Sequence, residues 1–166
     1  MDERRTDVRY TPHQGDASWS ADWEPANSQG APVGWDGLGE TEFLYEQFWV
    51  DVALVIGGVD FSRQYLPVLD FALAWASAPI VLRDKPRIDL ASSVEALTFH
   101  VGREGSTVTV RSNAHEGEAE ITWIELENLV DAMIERAFAI LHGHHPELRT
   151  NPYLLELRER LANLGR

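Results

Sequence analysis

Residues 65–78 set the hardest condition on this chain. Leu66, Val68, Leu69, Phe71, Ala72, Leu73, Ala74, Trp75 and Ala76 leave almost only Asp70 and Ser77 as polar positions. Pro67 suits the first turn of a helix and Pro79 its end, so the spacing predicts a helix over 65–78. A helix that is apolar around its whole circumference has to be covered on every side. One sheet in a small domain rarely achieves that. The fold must therefore supply further cover, from the rest of the chain or from a second copy.

The flanking segments indicate what that cover is made of. Residues 42–56 run Glu-Phe-Leu-Tyr-Glu-Gln-Phe-Trp-Val-Asp-Val-Ala-Leu-Val-Ile, largely apolar on both alternating faces and closed by Gly57-Gly58. They read as one long central strand. After the helix, residues 80–83, 87–91, 94–101 and 107–112 read as short strands, the last two joined through Gly102-Arg103-Glu104-Gly105. Residues 118–124 alternate Glu118, Glu120 and Thr122 against Ala119, Ile121 and Trp123, which predicts a closing strand. From Glu125 to His142, Leu126, Leu129, Val130, Met133, Ala137, Ile140 and Leu141 recur at three and four, the signature of an amphipathic helix. Asn151 then caps a last helix with Pro152 in its first position. Strands grouped before helices imply α+β: a mostly antiparallel sheet of about five strands, two C-terminal helices, and one buried helix after the first long strand.

The chain of 166 residues suits one such domain. Composition shifts near residue 40, because residues 1–40 contain five Gly and three Pro. Beyond Met1 their aliphatic residues of valine size or larger are Val8, Val33 and Leu38. Such a segment cannot offset its own ordering entropy, so 1–40 is expected to be an extended arm and 41–166 a single domain. The arm nonetheless carries Trp19, Trp23 and Trp35. Trp is costly to leave in water, so these are expected anchors, docked on the domain or on a sister subunit.

Charge excludes whole function classes. Fourteen basic against 27 acidic residues give a net −13, the wrong sign for a nucleic-acid binder or for docking on anionic lipid. With no cysteine, disulfides and thiolate chemistry are excluded. Residues 1–10 lack an apolar signal core, and a cytoplasmic protein is the expectation. Residues 113–135 hold seven acidic residues and no Lys or Arg. A strand would align Glu116, Glu118 and Glu120 on one face, and a helix would align Glu127, Asp131 and Glu135 in a stripe. Like charges four apart do not stabilise a helix, so the stripe suggests a surface for a basic partner. Glu125 and Glu127 also suit the positive end of the helix dipole.

Catalytic and cofactor motifs are absent. There is no Gly-x-Ser-x-Gly elbow and no GxxxxGK[ST] loop. His142, His144 and His145 are the metal candidates, but no pair has the i,i+4 spacing that places two imidazoles on one ion. They are expected to complement the helix C-terminus instead, so no metal and no cofactor is expected. Asp51, set among apolar neighbours, is the one candidate for carboxylate chemistry, and a partner such as Arg63, Arg83 or Arg111, or an exposed strand end, is expected in preference to catalysis.

In element order and texture the chain resembles small acidic proteins of high-GC bacteria, either uncharacterised or acting as immunity partners of secreted toxins. The resemblance rests on Leu69-Asp70-Phe71-Ala72, the segment 96–112 and Asn151-Pro152-Tyr153-Leu154, spans 42–163, and transfers no functional residues. The function expected is a non-enzymatic module that binds a basic protein through the acidic strand–helix surface. The alternative is a homo-oligomeric or assembly subunit whose Trp-bearing arm packs on a neighbour's helix near Phe71 and Trp75. A carboxylate enzyme built on Asp51 comes third.

Overall fold

Period-two alternation builds two sheets in this protein, whose computed structural model describes residues 4–164. In the first, β2 (Trp49–Ile56) is central. β1 (Asp7–Pro12) runs antiparallel on one side of it, and β3 (Val59–Asp60) and β4 (Arg63–Pro67) pair on the other. The second sheet is a meander of β5 (Arg87–Ala91), β6 (Thr98–Glu104), β7 (Thr107–Ser112) and β8 (Ala119–Thr122). The helices are a single turn α1 (Gly34–Gly37), then α2 (Val68–Val81), α3 (Trp123–His144) and α4 (Pro152–Leu164). The architecture is α+β with antiparallel pairing throughout, and the strands divide into two sheets of four rather than one of about five.

Each sheet buries one face. Val8, Val50, Val52, Leu54 and Ile56 turn inward from the first; Phe99, Val101, Val108, Val110, Ala119 and Ile121 do so from the second. Helices α2 and α3 pack on these faces and on each other. Phe71 meets Tyr10 edge-on at 6.1 Å, and Trp75 lies 5.1 Å from Phe99. Tyr10 donates its hydroxyl to the Met133 carbonyl at 3.1 Å, and burial pushes its phenol well above the ordinary range. Arg136 ties α3 to β1 through the Asp7 carboxylate at 2.7 Å and the Val8 carbonyl. The cover demanded by the apolar helix thus comes from both sheets and α3. A strip of Leu73, Ala76, Ser77 and Ile80 stays half-buried.

Where the sheets meet, side chains are excluded. Gly57 adopts φ +55°, and a Cβ there would sit 2.9 Å from the Glu120 carbonyl oxygen of β8. Only glycine lets the β2–β3 turn approach that backbone.

Several boundaries differ from expectation. The strand predicted over 42–56 begins only at Trp49, because residues Glu42–Glu46 form a π-helical turn closed by Gln47 N–H on the Glu42 carbonyl at 2.8 Å. The Glu42 carboxylate also accepts from Gly39 N–H at 2.8 Å. Phe43 and Leu44, adjacent in sequence, are both buried, which a strand with one face in water does not allow. Phe48, at φ +59°, then redirects the chain into β2.

The predicted helix over 65–78 starts at Val68, since Tyr65 and Leu66 belong to β4 and Pro67 is the N-cap residue. Pro79 sits inside its last turn, and residues 80–83 continue the helix into a turn instead of forming a strand. The hairpin of β6 and β7 turns tightly at Gly105-Ser106, with Gly105 at φ +63°, so Gly102 to Glu104 are strand and not turn. The closing strand stops at Thr122, where a capping box opens α3: Glu125 N–H donates to Thr122 Oγ1 at 3.2 Å, and Thr122 N–H to Glu125 Oε2 at 2.6 Å.

The N-terminal residues are woven into this frame. Besides β1, the Asp16 carboxylate accepts from Trp49 N–H at 2.7 Å and Ser18 N–H at 2.9 Å. The buried Asn151, capping α4 through Leu154 N–H at 3.0 Å, donates to the Trp35 carbonyl at 2.7 Å. Among the described residues no helix is long and apolar enough to cross a membrane.

Candidate functional site

The acidic residues singled out in the sequence do not share one surface. Ala119 and Ile121 face the core, so Glu118 and Glu120 point from the opposite, solvent face of the second sheet, and Glu116 precedes them in an exposed loop. Glu118 lies 3.5 Å from Arg111 across that face. Glu127 and Asp131 project from α3 beside the end of α2. Glu135 is 3.9 Å from Arg158 on α4. Both ion pairs are exposed and contribute little, ~0–1 kcal/mol each. The single strand–helix patch expected from spacing is two separate sets of carboxylates.

The three arm tryptophans do converge, on this chain's own domain. Trp19 is buried, donates its indole N–H to the Trp49 carbonyl at 2.6 Å and meets Phe48 at 5.3 Å. Trp23 packs on Trp35 at 5.8 Å and on Phe48 at 5.5 Å. Trp35 lies 4.7 Å from the ring of His145. Phe71 and Trp75, the expected landing point on a neighbour, are covered within the chain by Tyr10 and Phe99.

The histidines diverge accordingly. His145 is buried, donates Nε2–H to the Ser18 carbonyl, and ends α3 with its backbone N–H on Leu141. His144 faces Trp19 at 5.1 Å, and His142 faces Phe138 at 6.0 Å. Among the described residues no three His, Asp or Glu side chains gather as a metal-binding group.

The solvent face of the first sheet holds an arrangement that sequence spacing does not show. Val50 pairs with Leu66 and Val52 with Arg63, so Asp51 alone on β2 opposes both Gln64 and Tyr65 on β4. This is a β-bulge, and Tyr65 occupies it at φ +61°. Such a position favours glycine, since a left-handed backbone costs an ordinary residue ~1–2 kcal/mol. The fold holds it from two sides. Asp51 Oδ1 accepts from Tyr65 N–H at 3.1 Å and from His13 Nδ1–H at 2.7 Å, which fastens β4, β2 and the end of β1 together. The Tyr65 ring stacks on Trp49 at 4.2 Å and 22°, with His13 4.6 Å away.

The ring is nevertheless half in water, with Tyr65 52% exposed. Asp51 pairs with His13 in place of the expected arginine, and Arg63 instead makes a two-pronged pair with Glu95, at 3.0 and 3.1 Å. Among the described residues no hydroxyl bonds to His13. The Asp–His pair positions an aromatic side chain.

Comparison of the chain with protein-family models, with curated proteins and with solved structures finds no match in any of the three.

Proposed function

We propose that this chain is a non-enzymatic protein-binding module whose contact face is the outer side of β2 and β4, centred on Tyr65. The observation that carries this reading is a half-exposed tyrosine held in a left-handed bulge. Its strain brings no burial in return. Strain of that kind persists where the surrounding structure over-determines it, and it clusters at functional sites. The ring is immobilised between Trp49 and His13 before any partner arrives. Docking on it therefore costs little side-chain entropy, as for the rigid aromatic anchors that dominate interfaces.

Charge selects the partner. A net −13 steers a basic protein toward the chain. The divided carboxylates on the second sheet and α3 act as a long-range field and not as a single docking patch. A guanidinium or ammonium beside the Trp49–Tyr65 pair gains both ring and Asp51 attraction. A secreted toxin neutralised by this chain is the most concrete partner of that kind.

The test compares immobilised wild type with Tyr65→Gly in extracts of the source cell, at low and moderate salt. One basic protein retained by wild type, weakened by salt and lost with an equally stable Tyr65→Gly, supports the reading. Identical retention by both proteins, or retention of nothing, ends it.

A further inference from the structure

The half-buried strip of α2 borders a groove whose two walls carry opposite charge. Its lining includes the apolar side chains of Ala76, Ile80, Val130, Ile134, Leu161 and Leu164, and it encloses about 360 Å³. Arg83 stands on the α2 wall, and Glu127 and Asp131 stand on the α3 wall. Among the described residues none of these three charges forms an ion pair. A second apolar hollow, lined by Leu73, Ser77 and Leu157, adjoins it over the shared Ala76 and Ile80.

We infer that a second copy of this chain covers this groove, related by a two-fold axis that runs along it. Such an axis places the α2 wall of each copy over the α3 wall of the other, so Arg83 meets Glu127 and Asp131 twice. A two-fold axis across the groove would set like walls against each other, acid on acid, and is disfavoured. The surface is therefore self-complementary in charge as well as apolar at its centre, the condition for an isologous contact. This inference rests on the helical side of the molecule and is independent of the Tyr65 face.

Light scattering and sedimentation on the full chain, at concentrations on the order of 100 μM, are expected to show a dimer. Arg83→Glu alone, or Asp131→Arg alone, is expected to raise the dimer dissociation constant at least about tenfold. Both residues are exposed, so thermal melts should show the fold retained. Combined in one chain, the two reversals should recover most of the lost affinity, because each reversed charge again meets its opposite across the axis and only the unchanged Glu127 faces a like charge. A monomeric wild type, single reversals without effect, or a double variant no tighter than the singles would each overturn the inference.

Discussion

The carboxamide of Asn151 reaches back 113 residues to donate to the backbone carbonyl of Leu38, at 2.9 Å. The same nitrogen serves Trp35, and the oxygen caps α4. One buried side chain therefore starts the last helix and fastens the N-terminal segment to it. Asn151→Ala removes the cap and leaves two carbonyls without a donor, so a loss of about 2–4 kcal/mol is expected. Asn151→Asp keeps the capping oxygen but turns a carboxylate toward those carbonyls, and is expected to be as damaging. Urea midpoints at unchanged m-value check both; an aspartate variant near wild type would show that the tie to the arm contributes nothing.

The bulge makes an unusual demand at Tyr65. Tyr65→Gly loses the stack on Trp49 but relieves the left-handed strain, and should stay within about 1 kcal/mol of wild type. Tyr65→Ala loses the stack and keeps the strain. Glycine is thus expected to be more stable than alanine at this position by about 1 kcal/mol, the reverse of the order in an ordinary strand. Equilibrium denaturation of the two variants side by side decides it.

Two glycines with positive φ separate strain from contact. Gly57 and Gly105 lie at +55° and +63°, but among the described residues a Cβ on Gly105 meets nothing within 4 Å, whereas on Gly57 it meets the Glu120 backbone. Gly105→Ala should cost only the conformational strain, ~1–2 kcal/mol. Gly57→Ala should cost at least about 1 kcal/mol more, because backbone cannot yield as a flexible side chain does. Equal losses would mean that the sheets do not bear on each other at this point.

His142 gives the fold a pH dependence of known sign. Burial, reinforced by the nearby Arg158 and Arg149, holds its pKa below the ordinary 6.5. Among the described residues its Nδ1 is buried without a partner. As pH falls through 6.5 the unfolded chain takes up a proton before the folded chain does, so stability drops until the lower folded pKa is passed. His142→Phe should flatten this slope while leaving stability above neutrality within about 1 kcal/mol. Denaturation midpoints at about pH 7.5 and about pH 5.5 measure it, and a slope unchanged in the variant would contradict the assignment to His142.

What the sequence made legible was periodicity with polar relief. The spacing of Leu126, Leu129, Val130, Met133 and Ala137 has charged residues between the apolar ones, so α3 could be read directly, as could the Asn151-Pro152 start of α4. In residues 42–48, Glu42, Glu46 and Gln47 bracket only Phe43-Leu44-Tyr45, an apolar run too short to distinguish a strand from a buried turn. β1 carried a usable signal in the alternation Asp7-Val8-Arg9-Tyr10-Thr11, which a count of aliphatic residues over 1–40 passed over. The Tyr65 arrangement had none. Asp51 stood out as a carboxylate among apolar residues, but neither spacing nor composition indicates that His13, 38 positions away, will bind it. Nor does anything local mark a tyrosine in a conformation usual for glycine. The acidic series misled because alternation fixes the face within one element and not the angle between two.

The pairing of β1 with β2, locked by Tyr10 on Met133 across 123 residues, bears on how the chain comes into being. β1 meets its sheet neighbour β2 well before the helix that covers it, α3 (Trp123–His144), has been made. Until then its apolar side stays open to solvent. Closure over such sequence distances is slow, so the nascent protein has a long interval in which chaperones, or a second chain at its exposed edge, compete for that strand.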